Sequence, residues 1–497
     1  MGMDGADRLQ GGGVVLDAHA LKLAHDGFHT AFPRRSARRV LHVSQIIWMC
    51  ALAGGLAWAL RADPQSTLSV LYVLALALFA VLIAWRLIAA ASLTPVLSRI
   101  ATAEQWPIYT ILCPLYREAD GVGALADALA RLDYPRHALD IKFLVEQDDH
   151  QTVAAALAHA GADIEVVILP PATPRTKPKA LNAGLHRARG AYLTIYDAED
   201  RPHPLQLRAA IAAFEDGGAD LACVQAPLAI DNAHCAWVAR QFAAEYAIQF
   251  HEILPMLARL GLPLPLGGTS NHFRVSALRA AAGWDAYNVT EDADLGYRLA
   301  RDGWRSGVIS PPTWEEAPIR LPAWLNQRTR WVKGHIQTWL VLMRNPVRAL
   351  HEMGLGAFLG MHLTLTGGLA ATFVHGPIAC IVLVAALSPY ALLTPVDFAL
   401  ALAGYSVAIF ASLSATALSG NFSHLRAALT MPLYWPLASL AAYRALFELF
   451  WRPHYWAKTD HGLCPRPVIR WREAALPREP ATDAPSVRHP ARYDSMT

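Results

Sequence analysis

Charge is scarce in this chain: 17% of its 497 residues are Asp, Glu, Lys or Arg, against 54% hydrophobic. That balance and a mean hydropathy of +0.25 are unusual for a soluble protein. The net charge of +3 offers no electrostatic case for nucleic acid. Cysteine is scarce too: the six (Cys50, Cys113, Cys223, Cys235, Cys380, Cys464) are scattered, with no CxxC pair. Neither a zinc site nor a disulfide framework is expected, which fits a reducing cytosolic face. No apolar segment stands near the N-terminus; the first begins some forty residues in, after a polar leader, so a cleaved signal peptide is not expected. The length is too great for one ordinary core and points to two or three units.

What the chain does have is long apolar runs. Residues 43–60 and 68–91 carry at most one charge each and can cross ~30 Å of hydrocarbon as helices. Further apolar stretches cover 355–388, 396–418 and 431–450. The first of these is expected to start at the interface and then span with a break near Pro377; the last holds Pro432, Pro436, Arg444 and Glu448 and is expected to lie along the interface. That makes four spans. Arg34, Arg35, Arg38 and Arg39 precede the first, so the N-terminus is placed in the cytosol. The organisation read from this pattern is a cytosolic, mostly disordered arm (1–42), a transmembrane hairpin (43–92), a catalytic domain (105–335), interfacial and transmembrane helices (336–451), a loop (452–466) and a disordered tail (467–497). Within 321–343, tryptophans among basic residues suggest an amphipathic helix in the headgroup region.

Between the apolar blocks, short apolar runs (108–112, 141–145, 165–169, 192–196, 221–225) alternate with Ala/Leu-rich helical patterns (123–132, 151–159, 179–188). Alternation at that spacing predicts a doubly wound, largely parallel α/β sheet. Ligands of such sheets sit beyond the C-terminal strand ends. Asp148-Asp149 and Asp197-Ala-Glu-Asp200 fall there.

Each polar motif has a structural alternative. Asp197, Glu199 and Asp200 can converge on Mg²⁺ or Mn²⁺ bound to a substrate phosphate, or simply form a strand-to-turn junction. Asp148 and Asp149 can bond a base or ribose, or serve a turn. Lys179 and Asn182, after Pro178, can serve a phosphate at a helix N-terminus, or Lys179 can be a solvated lysine. Thr290-Glu291-Asp292 can be an N-cap with acidic first-turn residues, or can supply Asp292 as a general base. Gln327-Arg-Thr-Arg330-Trp331 can be a basic interfacial helix, or Arg330 can neutralise a diphosphate while Trp331 stacks on a sugar. The alternatives do not account for Asp148-Asp149, Asp197–Asp200, Thr290–Asp292 and Gln327–Trp331 standing together in that chain order between membrane-length segments.

That ordered set resembles glycosyltransferase family 2, in its membrane-embedded, processive branch of cellulose, curdlan and hyaluronan synthases. The D, DxD, TED and QxxRW signature stands here as Asp148-Asp149, Asp197-Ala-Glu199, Thr290-Glu291-Asp292 and Gln327–Trp331. Pro114-Leu-Tyr116-Arg-Glu118 resembles the opening nucleotide-binding turn, and Gly267-Gly268-Thr269-Ser270-Asn271 the stretch around the acceptor end. His454–Gly462, with Trp456, Lys458, Thr459 and His461, resembles a loop that closes over the nucleotide sugar, in a form nearer the phage N4 adsorption protein B type. The resemblance implies a GT-A fold, a UDP-sugar donor (UDP-glucose foremost), Mg²⁺ or Mn²⁺, inversion, and a β-linked glycan passed through a bacterial inner membrane from its cytosolic face. The tail is too short for a cyclic-di-GMP-binding PilZ domain, so regulation of that type would need another chain; the sequence does not specify secretion or regulatory subunits. Two other readings stand beside it: a single-addition transferase with a lipid-linked acceptor, and a non-catalytic receptor or transport component.

Overall fold

In the computed structural model, residues 13–388, 393–420, 425–458, 462–467 and 469 are described. The expected tail lies outside these residues apart from 467 and 469, as do Thr459 and His461.

An eight-stranded sheet forms the centre of the α/β domain. In spatial order its strands are β1 (Gly13–Val15), β4 (Ile164–Leu169), β3 (Leu139–Glu146), β2 (Tyr109–Leu115), β5 (Tyr192–Ile195), β9 (Asn271–Arg274), β7 (Leu221–Gln225) and β10 (Arg305–Val308). β6 (Arg201–Pro202), β11 (Thr313–Glu315) and β8 (Leu228–Ile230) make a second, three-stranded sheet. The central strands are near-continuous apolar runs because helices cover both faces. Alternate side chains enter opposite cores: Leu112, Leu144 and Val167 on one side, Ile111, Phe143 and Val166 on the other.

All pairings in the large sheet are parallel except those of β9, which runs antiparallel between β5 and β7. This reversal positions the site. The start of β9, and with it Gly267–Ser270, lies at the same edge as the end of β5 and the Asp197 turn. Ser270 N donates to Ile195 O (2.8 Å) and Thr269 Oγ1 to the same carbonyl (2.9 Å).

The N-terminal arm departs from expectation. From Gly13 it is ordered: β1 adds a parallel edge strand to β4, and the Ala18–Ala31 helix packs on the Lys177–Arg187 helix. Its apolar stripe (Ala20, Ala24, Phe28) is buried, and Arg298 lies 4.3 Å from the Phe28 ring centroid. Arg35 pairs with Asp302 (2.6 Å) and Ser36 with Asp285 (3.1 Å), binding the arm to the α/β domain.

Among the described residues, four helices are long and apolar enough to cross a membrane: Val43–Ala62, Pro64–Ala91, Leu355–Leu387 and Pro395–Ser419. The expected break at Pro377 is absent. Proline removes one donor and frees the carbonyl four residues back; that carbonyl, Phe373 O, accepts from Tyr443 Oη (3.0 Å). Ser439 Oγ donates to Thr372 O (2.6 Å) and accepts from Gly376 N (2.7 Å), so the Met431–Trp451 helix supports the segment. The irregularity lies earlier, in a π turn at His362–Thr366; a second π turn occupies Gln249–Ile253.

The Leu321–Leu342 helix is not an open interfacial helix. Trp324 is fully buried, its Nε1 donating to Tyr434 Oη (2.8 Å), and Lys333 is buried against Glu448 (3.1 Å). The helix is enclosed between the α/β domain and Met431–Trp451, so its tryptophans and basic residues are used within the protein.

Candidate active site

One cavity of about 1810 Å³ begins at the strand ends and continues between the apolar helices. Its polar end is built by several chain segments that the topology brings together. Asp197 and Glu199, after β5, line it; Asp200 lies beneath the wall, 1% exposed. Asp200 Oδ2 accepts from Asp197 N (2.7 Å) and from Thr269 Oγ1, so Asp200 shapes the turn. Burial, then the Asp197 and Glu199 charges, push its carboxyl well above the usual range. Of the three candidate metal ligands the geometry thus faces Asp197 and Glu199 to the cavity. Of the acceptor residues, Gly268 and Thr269 line it, while Ser270 bonds Thr313 (2.6 Å) behind the wall.

Lys179, expected from the sequence to be either a phosphate ligand or a solvated lysine, is placed as neither. Lys179 is fully buried and paired with Glu146 (2.7 Å), neither solvated nor facing the cavity. Asn182 likewise serves the fold, donating to Ala24 O (2.9 Å) and Trp284 O (2.8 Å). Two residues earlier, Lys177 does face the site. Its Nζ touches Asp197 Oδ1 (2.5 Å) and donates to Gly268 O (2.7 Å). Burial pulls this ammonium down, but Asp197, Glu291 and Asp292 outweigh it and hold the pKa above its ordinary value. A cation is therefore already stabilised among oxygen donors, Asp197 carboxylate and Gly268 carbonyl, with Glu199 on the same wall. An all-oxygen set of this kind fits Mg²⁺ or Mn²⁺.

At the β3 end the pair divides its work. Asp149 caps the His150–Leu157 helix through Thr152 N (3.4 Å) and accepts from Arg117 N. Asp148 pairs with Arg175 (2.7 Å), which also donates to Tyr116 Oη (3.0 Å). Tyr116, Arg175 and Asp148 thus form a polar group, of which Tyr116 and Arg175 line the cavity. Arg175 carried no sequence signal.

Glu291 and Asp292 open the Glu291–Arg301 helix on the opposite wall. Thr290 precedes it but makes no side-chain cap. Its position is fixed instead by close approach of Gly334: a Cβ there would stand 2.3 Å from Thr290 Oγ1 and 2.7 Å from Thr290 N. This contact brings the acidic helix onto the helix that carries Gln327, Arg330 and Trp331. Burial and then Asp292 push Glu291 up to about 8; burial also raises Asp292. A close carboxyl pair splits in this way, one neutral and one charged. Arg330 sits near both, donating to Val289 O (3.4 Å). Its Nε and Gln327 Oε1 are buried without a hydrogen-bond partner, and both residues line the cavity. Trp331 lines the cavity, packed by Tyr246 and Arg328.

The chain after Met431–Trp451 returns to this mouth. His454 Nδ1 meets Tyr287 O (2.8 Å), Trp456 lies over Arg330 (4.1 Å to the centroid), and Lys458 pairs with Glu118 (3.0 Å). Lys333 holds its base by donating to the carbonyls of Arg452 (3.2 Å) and Tyr455 (3.1 Å).

Below Gly268 the cavity changes character. Its wall there includes Phe79, Leu82 and Ile83 from the second span, Val382 from the third and Phe398 from the fourth. Carboxylates, cations and an apolar bay thus share one volume.

A family model described as "Glycosyl transferase family group 2" matches residues 192–442. The beta-monoglucosyldiacylglycerol synthase of Synechocystis sp. is 25% identical over 278 residues, 54% of this chain and 57% of that protein. Glucomannan 4-beta-mannosyltransferase 1 of Oryza sativa subsp. japonica is 26% identical over 260 residues, 49% of this chain and 48% of that one. The chain spans about half the length of the curated relatives it matches. Among solved structures, the mannosyltransferase PcManGT from Pyrobaculum calidifontis, in complex with GDP-Man and Mn²⁺, aligns with a TM-score of 0.48 at 19% identity, over 76% of this chain and 99% of that one.

Proposed function

The chain belongs to glycosyl transferase family group 2, and on that premise we propose that it moves a hexose from a nucleotide-diphosphate sugar, UDP-glucose foremost, onto a hydroxyl presented from within the membrane. The observation that carries this reading is the single cavity that joins the carboxylates and Arg330 to apolar helix faces. Asp292 takes the proton from the acceptor hydroxyl as that oxygen attacks the anomeric carbon, inverting it. Arg330, Lys177 and Lys458 supply positive charge for the departing diphosphate. Asp197 and Glu199 would hold Mg²⁺ or Mn²⁺, which offsets charge on the leaving group. The arm and α/β domain pack together and so share one face; the arginines before the first span support reading that face as the cytosolic one of a bacterial inner membrane.

A glycerolipid is the acceptor we favour. Aliphatic walls such as Leu82, Ile83 and Val382 suit acyl chains and offer a sugar no hydrogen bonds. Relatives named for glucosyldiacylglycerol synthesis agree with it. The second reading is processive synthesis of a β-linked polysaccharide, favoured by Trp331 at the bay's upper end and by Trp456 and Lys458 at the mouth. Purified protein in nanodiscs, given labelled UDP-glucose with and without diacylglycerol, separates the two. A lipid-dependent product that extracts into organic solvent is expected. A lipid-independent product many sugars long would establish polymer synthesis instead, and no transfer from any of several UDP- or GDP-sugars would overturn both.

A further inference from the structure

Residues 462–467 form a second contact between the C-terminal region and the α/β domain. Gly462 N donates to Glu316 Oε2 (2.8 Å). Arg466 is largely buried; its Nε meets Asp231 Oδ2 (2.7 Å), its Nη1 donates to the Glu199 carbonyl (2.5 Å) and its Nη2 to Trp314 O (3.2 Å). Arg201, at the end of the same turn, donates to Pro467 O (3.1 Å). The stretch is therefore fastened to the backbone of the Asp197–Asp200 turn.

Between Gly462 and Arg466 stands Cys464, bonded to Cys235 across 229 residues with the two Cα atoms 6.6 Å apart. This bond is a correction to the reading of the six cysteines as unpaired. Cys235 closes the loop that begins at Asp231, so one loop supplies both the ionic and the covalent anchor. Both cysteines are half-buried, within reach of a small reagent, and His234 Nε2 lies 3.5 Å from Cys235 Sγ. The other cysteines are differently placed: Cys113 and Cys223 are buried strand residues, and Cys50 and Cys380 sit in membrane-length helices.

We propose that Cys235 and Cys464 are a redox-active pair whose state sets how firmly residues 462–467 are held against the Asp197–Asp200 turn. A dithiol reductant opens the bond by thiolate attack on one sulfur. Its second thiolate then resolves the mixed disulfide, so that two electrons and two protons reach Cys235 and Cys464 and the reductant leaves as a disulfide. His234 is placed to stabilise the Cys235 thiolate. With the bond open, the Arg466, Gly462 and Arg201–Pro467 contacts remain. Those are reversible contacts of modest strength, whereas the bond removes the chain entropy of opening a very long loop.

The test uses the full chain in nanodiscs, treated with diamide or with dithiothreitol, and reads the Cys235–Cys464 cross-link by peptide mapping and amide exchange of 462–467 by mass spectrometry. Exchange in the reduced protein should be faster by about tenfold or more. Cys235→Ser and Cys464→Ser should exchange at the reduced rate under both treatments, either variant sufficing if the other fails to fold. The proposal is overturned if diamide yields no cross-link, if exchange is the same in both states, or if added Zn²⁺ binds the reduced protein through His234, Cys235 and Cys464 and slows exchange as the bond does. None of these readouts requires sugar transfer, so an inactive protein with redox-dependent exchange would count against the proposed function alone.

Discussion

At the polar end of the cavity side chains hold one another: Lys177 by Asp197 and Gly268, Asp200 by Thr269 and the Asp197 amide, Arg175 by Asp148 and Tyr116. At the membrane end most of the wall is apolar, with Phe79, Ile83, Val382 and Phe398 among a few polar groups such as Arg86 and His375, and the apolar side chains meet a ligand only through dispersion and burial. The first end fixes where charges stand to within a bond length; the second fixes only a volume. Chemistry at the first should therefore fail on removal of a single atom, whereas the second should yield gradually.

The largest effect should come from Asp197→Asn, which keeps shape and removes charge. Loss of several kcal/mol of leaving-group stabilisation would reduce turnover by about 10³-fold or more, and EDTA should do the same to the wild type. Full activity in EDTA would remove the metal from this account.

Next, Asp292→Asn should lower turnover by at least ~10²-fold with donor binding retained. Glu291→Gln should not, because the carboxyl, with a pKa near 8, is already neutral at pH 7. The pH profile sharpens this. A base must be deprotonated, so the rate falls as pH drops through the raised Asp292 pKa. Above pH 8 Glu291 ionises beside it and adds a second inflection, which the Gln variant should lack. Equal losses in both variants would mean that the pair does not divide its roles.

Gly334→Ala tests whether the acidic and basic helices must touch. The added Cβ collides with Thr290 backbone as well as its side chain, which should cost about 1–3 kcal/mol of stability. Thermal unfolding of the variant should shift downward accordingly, and an unshifted transition would show that the contact relaxes.

The smallest effect should be Phe79→Ala. In the bay it should leave donor turnover within a few-fold of wild type while moving the preferred acceptor toward longer or bulkier chains, as expected of a volume rather than a bonding site. A loss as large as that of Asp292→Asn would mean that the bay is as rigidly specified as the carboxylate end.

The same contrast governs what could be read from the sequence. Strands β2 to β5 and β7 were legible because buried parallel strands must be apolar runs, and the carboxylates were legible because they follow those runs. The antiparallel β9 was not, since four residues with a polar start carry no direction. Lys177 and Lys179 could not be ranked: two positions apart on a helix they point some 200° from each other, and only the sheet beneath decides which faces the site. The arm looked polar, yet Ala20, Ala24 and Phe28 give it a stripe that matters only once the Lys177–Arg187 helix is there to receive it. Arg175, Arg466 and the Cys235–Cys464 bond depend on pairings far apart in the chain, which local pattern does not encode.

The two π turns bear on how such a cavity can change. Each introduces one residue more than a regular helix holds, which rotates everything beyond it by about 100°. Both border the cavity, with Phe250 in one and Leu365 in the other. Beyond the second, Gly367 is brought so close to Leu82 that a Cβ would lie 2.4 Å from its side chain. Deleting a single residue from His362–Thr366 would restore helical regularity and turn the 367–387 face, Val382 included, out of the bay. The register between donor and acceptor chambers is thus set by a count of residues rather than by their identity. An insertion or deletion of one there could redirect the acceptor path without altering any residue of the carboxylate end.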